Sequence, residues 1–368
     1  MRSSGLTAIA CVAALAGSLG AAGQASSRIG PLPRAEAIAL TELVDGVLAG
    51  KPGGGDAWLK FNGHFLRASD GRVYLAFTVT LDEVSTGFDS MAMYVRLVAR
   101  GTRNPAAAVR VTGSDQGTPV SSPESQFAHG NPTAGEASSR LGLMATELGS
   151  AKSKFEGFFV AQRGTAAAPV LRRSLIVAPG DYDIDVVVRE RLGGRGQAAP
   201  KWAALQQTLT VPDLGGDQPT MSSIILSDRI DVLAKRPSSS QLAERPYAFG
   251  STEVLPDPDA TFSQSDVLCL VYFVYNLAVD KGNLPDVTVE YAFRQLSQFG
   301  TFFGELAPQH FGRGSTAPAF DAKAGRQLAV TQALPLATFP PDTYEVEITV
   351  TDNLSGLAAR RLVRFTVI

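Results

Sequence analysis

The sequence predicts an all-β protein built as two tandem antiparallel β-sandwiches with a short N-terminal helix. Three observations predict it. Short runs of alternating apolar and polar residues, rich in β-branched and aromatic side chains, recur along most of the chain and are separated by turn residues. A Pro-rich turn leading into a Tyr and an acidic, alternating strand occurs once in each half. The length of 368 residues, with 45% hydrophobic and 18% charged, suits two or three globular domains and excludes overall disorder.

Taken in order, residues 1–25 read as a secretory signal peptide. Arg2 precedes an apolar stretch from Leu6 to Leu19, and the small-residue end Gly23-Gln24-Ala25 places cleavage after Ala25. The stretch is too short and too rich in Ala and Gly to anchor a membrane, and no later run reaches about 18 apolar residues. The mature chain is therefore expected to be soluble, not inserted in a membrane, and periplasmic or secreted. Of two cysteines, Cys11 leaves with the signal, so no intramolecular disulfide is expected. Cys269 sits in an apolar run and reads as a small hydrophobe in a buried strand.

Residues 26–55 form the helix and linker. Ile38, Leu40, Leu43, Val44, Val47 and Leu48 recur near helical spacing, Glu36 occupies the first turn, and Gly50 follows the end. Lys51-Pro52-Gly53-Gly54-Gly55-Asp56 then breaks the chain. The first sandwich spans 56–212, with strands expected at 58–66, 73–81, 91–99, 155–162, 171–178 and 182–189. Within it, 113–139 is rich in Gly, Ser, Pro and Thr and reads as a long mobile loop. Residues 211–219 mark the boundary to the second sandwich, 220–368. Its strands are expected at 224–226, 230–233, 267–276, 286–295, 326–334, 344–351 and 362–367.

The internal repeat is the most specific signal. Pro179-Gly180-Asp181-Tyr182 followed by Asp183-Ile184-Asp185-Val186 returns as Pro340-Pro341-Asp342-Thr343-Tyr344 followed by Glu345-Val346-Glu347-Ile348, with one residue of slack before the tyrosine. Leu209-Thr210-Val211 and Phe365-Thr366-Val367 supply a closing strand in each half, and 73–79 has its counterpart in 268–274. The two tyrosines are expected at equivalent positions, partly buried, with each hydroxyl reaching back to the main chain as a tyrosine corner. This hairpin is similar to the penultimate hairpin of immunoglobulin-like and fibronectin type III-like modules in exported bacterial proteins. The tail from Leu336 to Val367 resembles C-terminal regions of large bacterial proteins related to von Willebrand factor A. The resemblance implies immunoglobulin-like sandwiches. It does not bring the adhesive metal site of an A domain, because the Asp-x-Ser-x-Ser signature is absent.

Chemistry is sparse. With 33 Lys and Arg against 35 Asp and Glu, the net charge of -2 excludes the basic footprint of a nucleic-acid binder. The three histidines, His64, His129 and His310, lie in a strand, in the loop and in a Gly-flanked segment, without the spacing of a metal site or a triad. Asp257 and Asp259, joined by Asp352 and Asn353 at one end of a sandwich, would offer oxygens to Ca²⁺. The competing and preferred expectation is that Asp in such Pro-rich turns caps its own backbone. Asp183 and Asp185, like Glu345 and Glu347, lie two apart on a strand and read as a solvated, edge-protecting face rather than a glycosidase pair. Phe293, Phe299, Phe302, Phe303, Phe311 and Phe320 are expected to fold over the second core. Exposed rings among them would instead suit a carbohydrate or protein contact. No catalytic, cofactor or metal residue is assigned, and no cofactor is expected. These features lead to an exported, non-enzymatic interaction or structural module that binds a protein partner or, second, a glycan. The alternative is an extracytoplasmic hydrolase with an acidic site between the domains.

Overall fold

The structure, a computed structural model, describes residues 32–48, 59–68, 72–81, 90–100, 153–162, 170–191, 201–235, 237, 245–297, 300–312, 320–321 and 326–368. The expected signal peptide, the linker at 51–56, the loop at 113–139, His129 and Phe299 lie outside the described residues.

The first half opens with α1, Arg34–Leu48, whose first turn is closed by the Pro33 carbonyl accepting the N–H groups of Glu36 and Ala37. Among the described residues the strands that follow are β1 Leu59–Arg67, β2 Val73–Leu81, β3 Ser90–Ala99, β4 Ser153–Gln162, β5 Val170–Val177, β6 Gly180–Glu190 and β7 Trp202–Val211. They form two antiparallel sheets, β1-β2-β5 and β4-β3-β6-β7. Alternate residues fill the core between them. Val73, Leu75, Phe77 and Val79 of β2 belong to one cluster with Met91, Met93, Val95 and Leu97 of β3 and with Ile184, Val186 and Val188 of β6.

The second half adds β8 Thr220–Met221, β9 Ile225–Ser227, β10 Arg229–Val232, β11 Ala248–Phe249, β12 Thr252–Leu255, β13 Thr261–Phe262 and β14 Val267–Tyr275. Then come β15 Val287–Gln295, β16 Thr301–Glu305, β17 Gln309–Phe311, β18 Phe320–Asp321, β19 Gln327–Pro335, β20 Asp342–Asp352 and β21 Leu357–Val367. One sheet runs β18-β19-β14 with β8 and β9 on the far side of β14, and the other runs β13-β21-β20-β15-β16. Matched against the first half, β14 takes the place of β2, β19 of β5, β15 of β3, β16 of β4, β20 of β6 and β21 of β7. Both halves thus have the same immunoglobulin-type strand order, and the all-β, tandem-sandwich prediction holds together with its N-terminal helix.

The repeat read in the sequence has a geometric basis. The Tyr182 hydroxyl donates to the Ala178 carbonyl at 2.9 Å, and the Tyr344 hydroxyl donates to the Pro340 carbonyl at 2.7 Å, each reaching four residues back. Tyr182 stands opposite Leu209 and Tyr344 opposite Phe365, so both closing strands share one register. In the second half the corner is packed in aromatic rings: Phe303, Phe339 and Phe365 lie with centroids 5.1–5.5 Å from Tyr344. Tyr182→Phe and Tyr344→Phe each remove one such bond while keeping the ring. Each is expected to cost about 0.5–1.5 kcal/mol in urea denaturation without a change in m-value.

The halves are not two beads on a string. Along β14, Leu268, Leu270, Tyr272 and Val274 enter the second core, while Val271, Phe273 and Tyr275 belong to the same apolar cluster as the first half's core. Strand β2 is likewise buried on both faces, with Tyr74, Ala76 and Thr78 opposite its core-facing residues. The outer face of β1-β2-β5 therefore packs on the outer face of the β14 sheet, and Tyr247, Phe249 and Val254 fill the seam. The 211–219 boundary is fastened to the same seam. Asn276, at φ 63°, donates its side-chain amide toward the carbonyls of Leu214, Gly215 and Gln218 and accepts from Arg67. Asn tolerates this left-handed backbone better than most residues. Cys269 is half-buried against the seam.

Candidate functional site

One group of ionisable side chains lies along the seam. Register places His64 opposite Ala76 and Ser174 opposite Ala76 from the other side, so the imidazole and the β5 side chains share the face turned to the second half. His64 Nδ1 lies 2.9 Å from the Tyr247 hydroxyl, with the rings edge-on at 5.4 Å. The Tyr74 hydroxyl donates to the Pro246 carbonyl at 3.0 Å. Burial holds the His64 imidazole down to about 4 and pushes the Tyr247 hydroxyl well up.

At one margin of the seam, Asp231 of β10 stands directly across from Glu253 of β12. Arg229 holds Asp231 with two bonds of 2.9 Å, and Arg245 lies 3.3 Å from Glu253. Burial is the largest influence on Glu253 and raises it; Arg245 and Arg172 oppose that. Burial in turn lowers Arg172. The carboxylates of Asp231 and Glu253 thus lie among the guanidinium groups of Arg229, Arg245 and Arg172. Sequence reading did not single out Asp231 and Glu253. Their only local sign is one acidic residue in each of two four-residue strands.

The Asp257 group is not assembled as a Ca²⁺ site would require. Thr366 of β21 pairs with Thr261 beside Asp257, whereas Leu357 at the opposite end of β21 pairs with Asp352. Nine strand residues separate the two groups, or about 30 Å. The expectation that they meet at one end of a sandwich is therefore corrected by topology. Asp257 accepts the N–H groups of Asp259 at 2.9 Å and Thr261 at 3.2 Å, which is the backbone-capping role. Asp259 instead pairs with Lys60 of the first half at 2.8 Å. Asp352 is fully buried and accepts from the N–H groups of Ala278 and Leu354 and from both the N–H and the hydroxyl of Ser355. Asn353 donates to Asp286. Among the described residues, no group of three or more His, Cys, Asp or Glu is arranged to hold a metal ion.

The strand carboxylates divide. Glu345 and Glu347 face solvent and pair with Arg364 at 2.9 Å and Arg360 at 3.3 Å. Asp185, expected on the same kind of face, is buried, because α1 lies across that face of β4-β3-β6-β7. Its carboxylate meets Arg96 Nε at 3.2 Å and the Gln206 amide at 3.0 Å, and Arg96 reaches on to Asp45 of the helix at 2.9 Å. Asp183, on the same strand, pairs with Arg100 at 3.1 Å. Neither pair protects an edge: β6 lies between β3 and β7, and β20 between β15 and β21. Beside the helix start, a pocket of about 20 Å³, the room of one water, is lined by Glu36, Leu40, Arg189 and Arg191.

The phenylalanines mostly follow the expectation. Phe293 is buried, and Phe303, Phe311 and Phe320 pack against the second core. Phe302 is exposed. His310 lies at the opposite end of the second sandwich from Asp257, within 3.1 Å of the Thr288 hydroxyl. Among the described residues, no helix is long and apolar enough to cross a membrane.

No protein-family model matches the chain, and no curated protein matches it. Solved structures give distant likenesses. A Bacteroides uniformis β-glucuronidase is 9% identical, with 80% of this chain and 26% of that one covered and a TM-score of 0.23. Dimeric latent PorU from Porphyromonas gingivalis is 9% identical over 85% of this chain and 20% of that one, at 0.26. The Yersinia pseudotuberculosis adhesin InvE is 11% identical over 85% and 61%, at 0.20. The chain spans less than two thirds of the length of each.

Proposed function

We propose that the chain is an exported, non-enzymatic interaction module whose partner is a protein. The observation that carries this reading is how the described ionisable groups are used. Asp185, Asp352 and Asp257 are tied into the fold's own ion pairs and turns, and His64 is enclosed between the halves. What remains for recognition is a pair of sandwiches with exposed strand faces and loop ends. A glycan is the second class of partner that such surfaces serve.

The hydrolase alternative retains one specific support, the cross-strand carboxylates Asp231 and Glu253 with Glu253 raised by burial. Assay of the purified chain against glycosidic, ester and peptide substrates, with and without Ca²⁺ or Zn²⁺, separates the two. The expected result is no turnover above buffer. Turnover that disappears in Glu253→Gln would replace the binding-module reading with the hydrolase.

A further inference from the structure

The seam joins the halves through a buried imidazole. His64 belongs to β1 and Tyr247 to the second half, 183 residues away, and their 2.9 Å bond crosses the seam. The charged and titratable groups along the seam come from every element that packs there. Lys60 of β1 is paired with Asp259, and Tyr74 of β2 is bonded to Pro246. From β5 comes Arg172; Arg245 is paired with Glu253 of β12, and Arg229 with Asp231 of β10. The Tyr275 hydroxyl of β14 accepts the Arg67 N–H. The carboxylates are thus engaged with cations of their own, and burial is the cause acting on His64. Thr78 Oγ1 and Arg172 Nε are buried in the seam without a hydrogen-bond partner.

We propose that the His64–Tyr247 contact is an acid-sensitive latch: the closed seam takes only the neutral imidazole, so acid favours a reversible opening between the two sandwiches. The opened imidazole titrates near 6.5 and the enclosed one near 4, so the open seam binds more protons between those values. The latch is fully closed above about 6.5 and weakens as pH falls toward 4. From neutrality to pH 5 the opening equilibrium rises roughly twenty-fold.

The test uses the full chain and two reporters. Among the described residues, the N–H of Ser223 donates to the Phe65 carbonyl, that of Phe65 to the Ser223 hydroxyl and that of Arg67 to the Tyr275 hydroxyl, all across the seam. Hydrogen exchange, corrected for its intrinsic pH dependence, is expected to show these amides losing protection roughly twenty-fold between pH 7 and pH 5. Amides of β20 in the second core keep theirs. In His64→Gln the seam amides lose the pH dependence. An equal loss in His64→Gln, an unchanged wild type, or a parallel loss in β20 would overturn the latch. The second reporter needs no variant: an NMR titration of the His64 imidazole is expected to show no protonation above pH 5, and a midpoint near 6.5 overturns the proposal.

Discussion

Phe273→Ala is expected to destabilise the chain by about 3–5 kcal/mol and to be felt in the first half although the residue lies in the second. Phe273 is almost fully buried on the face of β14 turned to the seam, edge-on to Phe249 at 5.3 Å and beside Tyr275 at 6.4 Å. Its removal leaves a cavity among side chains from both sandwiches, which interior strands close only in part. Both tryptophans, Trp58 and Trp202, belong to the first half, so fluorescence reports that half alone. The tryptophan-detected midpoint in urea should fall in Phe273→Ala. A midpoint that stays in place while the second half unfolds earlier would mean the seam transmits no stability.

Asp185→Ala is the second large effect, about 3–5 kcal/mol, because it strands a buried guanidinium. Arg96 and Asp185 have side chains only 4% and 7% exposed, and Gln206 binds the carboxylate from β7. The other arm of Arg96 leads to Asp45, which is 61% exposed and screened by water. Asp45→Ala should accordingly cost under about 1 kcal/mol. Replacing both buried partners, Arg96→Met with Asp185→Leu, should recover most of the loss, since two apolar side chains of similar volume suit the space beneath α1. Urea denaturation of the four proteins checks the order. An Asp185→Ala cost as small as that of Asp45→Ala would contradict the assignment of Asp185 as a buried partner.

How much of this was legible in the sequence differs from element to element. The long strands carry five or more alternating positions and are readable on their own, and the tyrosine corner is readable because its turn, ring and closing strand recur together. Two-residue strands such as β8, β11 and β18 have no period to detect. The seam did leave a sign. Residues 268–274 and 73–79 are apolar at nearly every position, whereas a strand with one solvated face alternates. Such runs call for a second apolar layer outside the sandwich. Asp185 left no sign, because its alternation matches that of the solvated Glu347, and nothing local to β6 tells that a helix over 130 residues earlier covers it. The separation of Asp257 from Asp352 is likewise a matter of strand pairing rather than of spacing.

The central claim is that the two sandwiches form one cooperative body through β14 and its seam. Scanning calorimetry of the full chain at pH 7 tests it most directly. A single transition with equal calorimetric and van't Hoff enthalpies is the expected result. Two resolved transitions, or a calorimetric enthalpy about twice the van't Hoff value, would show the sandwiches unfolding independently and would contradict the claim.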